Sequence, residues 1–73
     1  GAETRICIAH RNIPNTISAF TTLCGEAGIN IENMLSKSRG DWAYTILDVS
    51  NDVDAELLEK LEALDPVVRA RAI

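Results

Sequence analysis

The sequence predicts an α+β domain with the element order β-α-β-β-α-β, a four-stranded antiparallel sheet with two helices on one face. Three observations lead there. The apolar residues alternate with a period of two, switch to helical spacing, and repeat that switch once more. Gly28 and Gly40 stand where such an order needs a change of direction. And 73 residues, about half of a rough ~150-residue prior per domain, hold one domain with a small core.

The elements follow in order. Arg5-Ile6-Cys7-Ile8-Ala9-His10 is rich in β-branched residues, with Ile6 and Ile8 on one face and Arg5, Cys7 and Ala9 on the other. It reads as a strand. Arg11 to Asn15 is loop chemistry: Pro14 disfavours helix at Ile13, and Asn15 is placed to cap a helix start. Ile17, Phe20, Leu23, Cys24 and Ala27 then form one helical stripe, so a helix is expected from about Asn15 to Ala27. Gly28 follows as its left-handed terminator. A second strand is expected from Ile29 toward Ser38, although Asn33, Met34 and Leu35 fit neither face cleanly. Arg39-Gly40-Asp41 turns the chain into a third strand, Trp42 to Val49, completing a hairpin. Ser50 to Asp54 supplies turn and cap residues. Leu57, Leu58, Leu61 and Leu64 mark the second helix, with a Glu56–Lys60 pair outside and Asp65-Pro66 at its end. Val67 to Ile73 alternates again as the last strand. This is the split βαβ, ferredoxin-like arrangement.

Composition limits the function. The chain is 47% apolar and 25% charged, with a net charge of −4. An acidic chain with seven Lys and Arg residues is a poor candidate for a phosphate backbone, so no nucleic-acid partner is expected. No apolar run approaches the ~20 residues of a membrane span, and no signal peptide is visible, so no membrane partner is expected. Cys7 and Cys24 lie in apolar periodic segments and are expected as buried free thiols in a reducing, cytoplasmic setting. With one histidine and no C-x-x-C, no metal site is expected. The chain opens on Gly1-Ala2 rather than Met. Residues 1–3 read as a scar or linker remnant and 4–73 as the domain.

Strand parity puts Ile6, Thr45, Leu47 and Val68 toward the helices. Arg5, Tyr44, Asp48, Arg69 and Arg71 then lie on the second face, where Asp48 can offset arginines on neighbouring strands. Catalytic patterns are lacking: no G-x-S-x-G, no G-x-G-x-x-G and no phosphate-binding glycine loop followed by Lys. Cys7 and His10 point to opposite faces of their strand. No catalytic residue is assigned.

The informative segment is the loop before the first helix, with His10, Asn12, Pro14 and Asn15. It sits at a helix N-terminus, whose free N–H groups suit a carboxylate. His10 and Asn12 share strand parity and are expected to aim at one point. Asn30 opens the second strand. Asparagine reads both an ammonium and a carboxylate, as a zwitterionic amino acid requires.

His10-Arg11-Asn12-Ile13-Pro14-Asn15, Glu26-Ala27-Gly28-Ile29-Asn30-Ile31, Ala43 to Val49 and Val68-Arg69-Ala70-Arg71 together resemble an ACT domain. More narrowly, they resemble the serine-binding regulatory ACT domains of D-3-phosphoglycerate dehydrogenases. The resemblance covers about residues 4 to 73. It implies a non-catalytic domain that binds L-serine and feeds back on an NAD-dependent dehydrogenase carried elsewhere, with no cofactor in the domain itself. It implies a homodimer joined side by side through the sheets, with serine at the interface. His10 and Asn12 match the loop positions that hold the ligand, and Asn30 the position that reaches it from the neighbouring subunit. Pro14 and Asn15 are expected to contribute. The family loop has glycine where Asn15 stands. Asparagine is the next best tolerated residue if that position needs positive φ. The alternative is an assembly module of the same fold that does not respond to ligand, and a second is a domain reading another amino acid. An acylphosphatase-like hydrolase would want glycines around Arg11. An RNA-binding module would want stacking aromatics on the central strands and a basic surface.

Overall fold

The computed structural model describes residues 4–73, so the expected scar or linker remnant at residues 1–3 lies outside the described residues. The observed order is β1 (Thr4–Arg11), α1 (Thr16–Glu26), β2 (Ile31–Arg39), β3 (Trp42–Val49), α2 (Ala55–Glu62) and β4 (Val67–Ala72). The strands form one antiparallel sheet in the spatial order β2-β3-β1-β4. The βαββαβ fold and the one-sided helical layer are as the periodicities predict.

Helix boundaries are set by local chemistry. Asp54 accepts a hydrogen bond from the Leu57 N–H at 2.9 Å and caps α2. Gly28 has φ 73°, and the Gly28 and Ile29 amides bond back to the carbonyls of Gly25 and Cys24 at 3.1 and 2.8 Å. That paired pattern closes the end of α1 and requires a left-handed residue, which costs glycine nothing. Asn15 occupies the N-cap of α1 but makes no side-chain cap hydrogen bond, which corrects one sequence expectation. Its backbone is left-handed instead, at φ 68°, and it is the one non-glycine residue with positive φ among the described residues.

The core lies between the sheet and the helices. Ile6, Ile8, Leu47 and Val49 from the central strands meet Phe20 and Cys24 of α1, Leu57 and Leu61 of α2, and Ala70 of β4. Cys7 is also buried, but register pairs it with Ile46 and Arg71 on the other face of the sheet. The two thiols are free and separated by the sheet itself. Burial pushes the Cys24 thiol up, so it stays protonated.

Two β-bulges change what the sequence suggests. β2 begins at Ile31, two residues later than expected, and its register against β3 slips between Ile31 and Asn33. The slip explains why Asn33, Met34 and Leu35 fit neither face: an inserted residue inverts the parity of everything after it. A second slip sits where Ala9 pairs with Arg69 but His10 pairs with Val67. Val68 is therefore the inserted residue. It is 59% exposed and does not face the helices as strand parity suggests; Val67 packs on the core in its place.

Candidate functional site

The loop between β1 and α1 is fixed by three anchors. The Asn12 N–H donates to the Asp41 carbonyl at 2.8 Å, and its side-chain Nδ2 donates to the Gly40 carbonyl at 3.1 Å. Asn12 thus ties the loop to the β2–β3 hairpin turn. The Thr16 hydroxyl donates to the Ile13 carbonyl at 2.8 Å. The left-handed Asn15 then turns the chain into α1, whose first turn holds no acidic residue. With neither a side-chain cap nor a carboxylate there, the helix start keeps its N–H groups and partial positive charge for another acceptor. Arg11, Asn12, Ile13, Asp41 and Trp42 line a depression of about 390 Å³ beside it.

His10 is placed differently from Asn12. It is buried against Phe20 in an edge-to-face contact, with ring centroids 5.1 Å apart. Its Nδ1 lies 2.9 Å from the Arg11 carbonyl and its Nε2 2.8 Å from the Thr45 hydroxyl. A carbonyl only accepts, so Nδ1 carries the proton and donates. In the neutral ring Nε2 then accepts from Thr45, and Thr45 in turn accepts from Ser36 at 3.0 Å. A chain of hydrogen bonds therefore runs from the edge strand through the core to the backbone of the loop. His10 holds the loop from beneath rather than aiming with Asn12 at one point, because β1 ends at Arg11 and parity no longer applies beyond it. Thr45 and Ser36 were not legible as partners in the sequence. The parity that puts Thr45 on the helix face is the only signal that points to them.

Asn30 lies at the other end of the sheet. Ile31 pairs with Val49, whereas His10 pairs with Ala43, six residues back along β3. At about 3.4 Å per residue the two ends are about 20 Å apart. The Asn30 N–H donates to the Asn51 side chain at 2.9 Å, and Asn30 Nδ2 reaches the Ser50 hydroxyl at 3.3 Å. Its side chain is exposed. One chain therefore does not bring Asn12 and Asn30 together.

On the uncovered face, Arg5 Nε donates to Asp48 at 2.8 Å. The expected cross-strand offset of charge is present for that pair. The Arg5 guanidinium holds the Asp48 carboxyl below its ordinary range. Among the described residues no cluster of three or more His, Cys, Asp or Glu is placed to hold a metal. Among the same residues no helix is long and apolar enough to cross a membrane.

Comparison with known proteins agrees with this architecture. The chain is 25% identical over 71 residues to D-3-phosphoglycerate dehydrogenase of Escherichia coli K12, covering 94% of this chain and 17% of that protein, and equally to the Shigella flexneri enzyme. It thus spans about 17% of the length of the curated relatives it matches. The ACT domain from GTP pyrophosphokinase of Chlorobium tepidum superposes with a TM-score of 0.77 at 15% identity, covering 96% of this chain and 95% of that one. The ligand-free regulatory subunit of aspartate kinase from Thermus thermophilus gives 0.75 at 20% identity, over 96% of this chain and 49% of that one. At such identities the structural likeness carries the fold alone. The ACT domain family itself matches residues 6–66, and the chain belongs to that family.

Proposed function

We propose that this ACT domain is a sensor of L-serine that acts in pairs and feeds back on a D-3-phosphoglycerate dehydrogenase activity in a longer protein. The observation that carries the reading is the free edge of β2. Residues 32–39 of that strand are all exposed, whereas the opposite edge is blocked where Glu62 of α2 accepts the Ala70 N–H at 3.0 Å. An unblocked edge is a template for another strand. A two-fold axis across β2 runs the two copies antiparallel. The Asn30 end of one copy then meets the hairpin end of the other, where Asn12 is tied to Gly40. Each such junction gathers Asn12, the open start of α1 and a partner's Asn30: donors for a carboxylate and an acceptor for an ammonium. Pro14 and Asn15 set the backbone of the turn, and His10 braces it through the Arg11 carbonyl.

Ligand bound between two copies favours the paired state by its differential affinity for it, with coupling on the order of 1–3 kcal/mol. The weak similarity to the dehydrogenases supports serine over other amino acids. The test is a thermal melt with millimolar L-serine against D-serine and glycine. At about 100 times Kd the expected stabilisation is roughly 2.7 kcal/mol, several degrees for a small domain. Asn30→Ala should abolish the shift while leaving the unliganded melt unchanged, since its side chain makes only the long contact to Ser50. Asn12→Ala should abolish it too. No shift with any amino acid, from a chain shown to dimerise, favours the assembly module. The observation on that side is Asn15, which keeps the left-handed turn but adds a side chain where the family has glycine.

A further inference from the structure

We propose that the uncovered face of the sheet is a docking surface for an acidic protein surface. Register places Arg5, Arg11, Lys37, Arg39, Arg69 and Arg71 on this one face. These are six of the seven cations in an acidic chain, and all six are exposed. Asp48 is the carboxylate that register sets among them, and Arg5 already engages it. The other described acidic residues sit on the helices, in the turns, or at the β2 bulge. The charge of the molecule is thus sorted across the sheet, and the sorted face attracts negative partners that the net charge would repel.

Side-chain type narrows the partner. Five of the six cations are arginine, and register sets Arg11, Arg39 and Lys37 directly beside Trp42 and Tyr44, which are 55% and 46% exposed. Arginine, tryptophan and tyrosine are the residues that anchor protein–protein contacts. Trp42 and Tyr44 stand two residues apart on β3, with Lys37 and Arg39 opposite them on β2. These four line a shallow depression of about 520 Å³ with Ser38 and Ala43. A single-stranded nucleic acid would ask for rings on the neighbouring central strand as well. The positions of β1 beside Tyr44 and Ile46 are Ala9 and Cys7, which cannot stack on a base. The face is also broad rather than grooved. Four strands about 4.8 Å apart and about 20 Å long give roughly 400 Å², half of one partner's ~800 Å² share in a standard interface. A single domain therefore docks weakly, and two domains side by side supply a standard area.

Trp42 is the only tryptophan in the chain, so its fluorescence reports on this face and on the depression beside the α1 start that it also lines, and the arginine variants tell the two apart. The probe is a 20-residue peptide of Glu and Leu at helical spacing, titrated at low salt. Its Gln-for-Glu counterpart and a 20-nucleotide oligo-dT are the comparison arms. The expected result is a saturable change in Trp42 emission, at least ten-fold tighter for the Glu peptide than for the Gln peptide, and weakening as salt rises. Arg69→Glu with Arg71→Glu should weaken binding ten-fold or more, whereas Lys60→Glu, on the helical layer, should change it less than two-fold. Should the double charge reversal disturb the fold, the double Gln variant carries the same comparison, with a smaller loss. The proposal is overturned if Trp42 does not respond, if the arginine and Lys60 variants behave alike, or if oligo-dT binds more tightly than the Glu peptide.

Discussion

The two faces of the sheet share every backbone hydrogen bond and differ in what their side chains are for. The helix-covered face carries Ile6, Ile8, Leu47 and Val49 at no measurable exposure, together with a polar pair, His10 and Thr45, that is fully partnered. The other face carries arginines, two half-exposed rings, and the small residues Cys7 and Ala9. The first face spends its sequence on burial, which is worth about 25 cal/mol per Å² of apolar surface. The second buries Cys7 but leaves its rings and cations largely exposed, so it is expected to add less to stability, and under the docking proposal its side chains are free to meet a partner. Under that proposal, stability and recognition are divided between alternate residues of the same strands.

The largest test of that division is truncation on each side. Phe20→Ala empties the centre of the covered face and should cost about 3–5 kcal/mol in urea unfolding. Tyr44→Ala on the open face should cost well under that, on the order of 0.5–1 kcal/mol. Similar losses at the two sites would mean that the open face is part of the stabilising core.

Next comes the polar pair. Thr45→Val keeps the shape but leaves the buried His10 Nε2 without its partner and frees Ser36. A loss of about 1–3 kcal/mol is expected from the unsatisfied group. Because His10 holds the Arg11 carbonyl, the amide signals of residues 11–15 should shift in the same variant by NMR. A loss of stability with an unmoved loop would show that His10 does not brace it.

A smaller effect separates the two helices that make the covered face. Asp54→Ala removes a real cap and should lower stability by about 1 kcal/mol. Asn15→Gly removes no cap and keeps the left-handed turn, so the unliganded melt should move by only a few tenths of a kcal/mol. Equal losses would mean that Asn15 caps α1 after all.

The smallest effect is the pH dependence of the open face. Arg5 holds the Asp48 carboxyl below its unfolded value, so the ionised form is favoured in the folded state. That contribution is complete above the unfolded carboxylate range, about pH 4, and is lost as pH falls through the lower folded value. Asp48→Asn should therefore make the acid side of a melting-temperature profile shallower and leave neutral pH nearly unchanged. A variant with the parent's acid profile would show the pair to be without thermodynamic weight.

Much of this was readable along the chain. Residues that act on their immediate neighbours behaved as their chemistry predicts. The leucines of α2 turn inward, Asp54 caps, Gly28 terminates, and Gly40 turns a two-residue hairpin. The conformation at Asn15 was legible in the same way, since asparagine is the residue that best replaces glycine at positive φ. The loop–strand motif was enough to point to the ACT family.

What the linear sequence left open depends on pairing. A bulge at Glu32 and another at Val68 invert which side chains face the core, and a bulge forms only where two strands meet. His10 and Asn12 look equivalent by parity, yet one is buried under Phe20 and the other is tied to a hairpin far away in sequence. Asn12 and Asn30 are 18 positions apart in the chain and stand at opposite ends of the sheet, because an antiparallel strand order sets distance by register and not by count. Net charge suffers the same loss. The sum of −4 describes the composition truthfully and conceals that the sheet sorts nearly all its cations to one side. Element order and caps are local properties, carried by residues within a turn or two of each other. Faces, edges and the distribution of charge exist only once distant strands are in register.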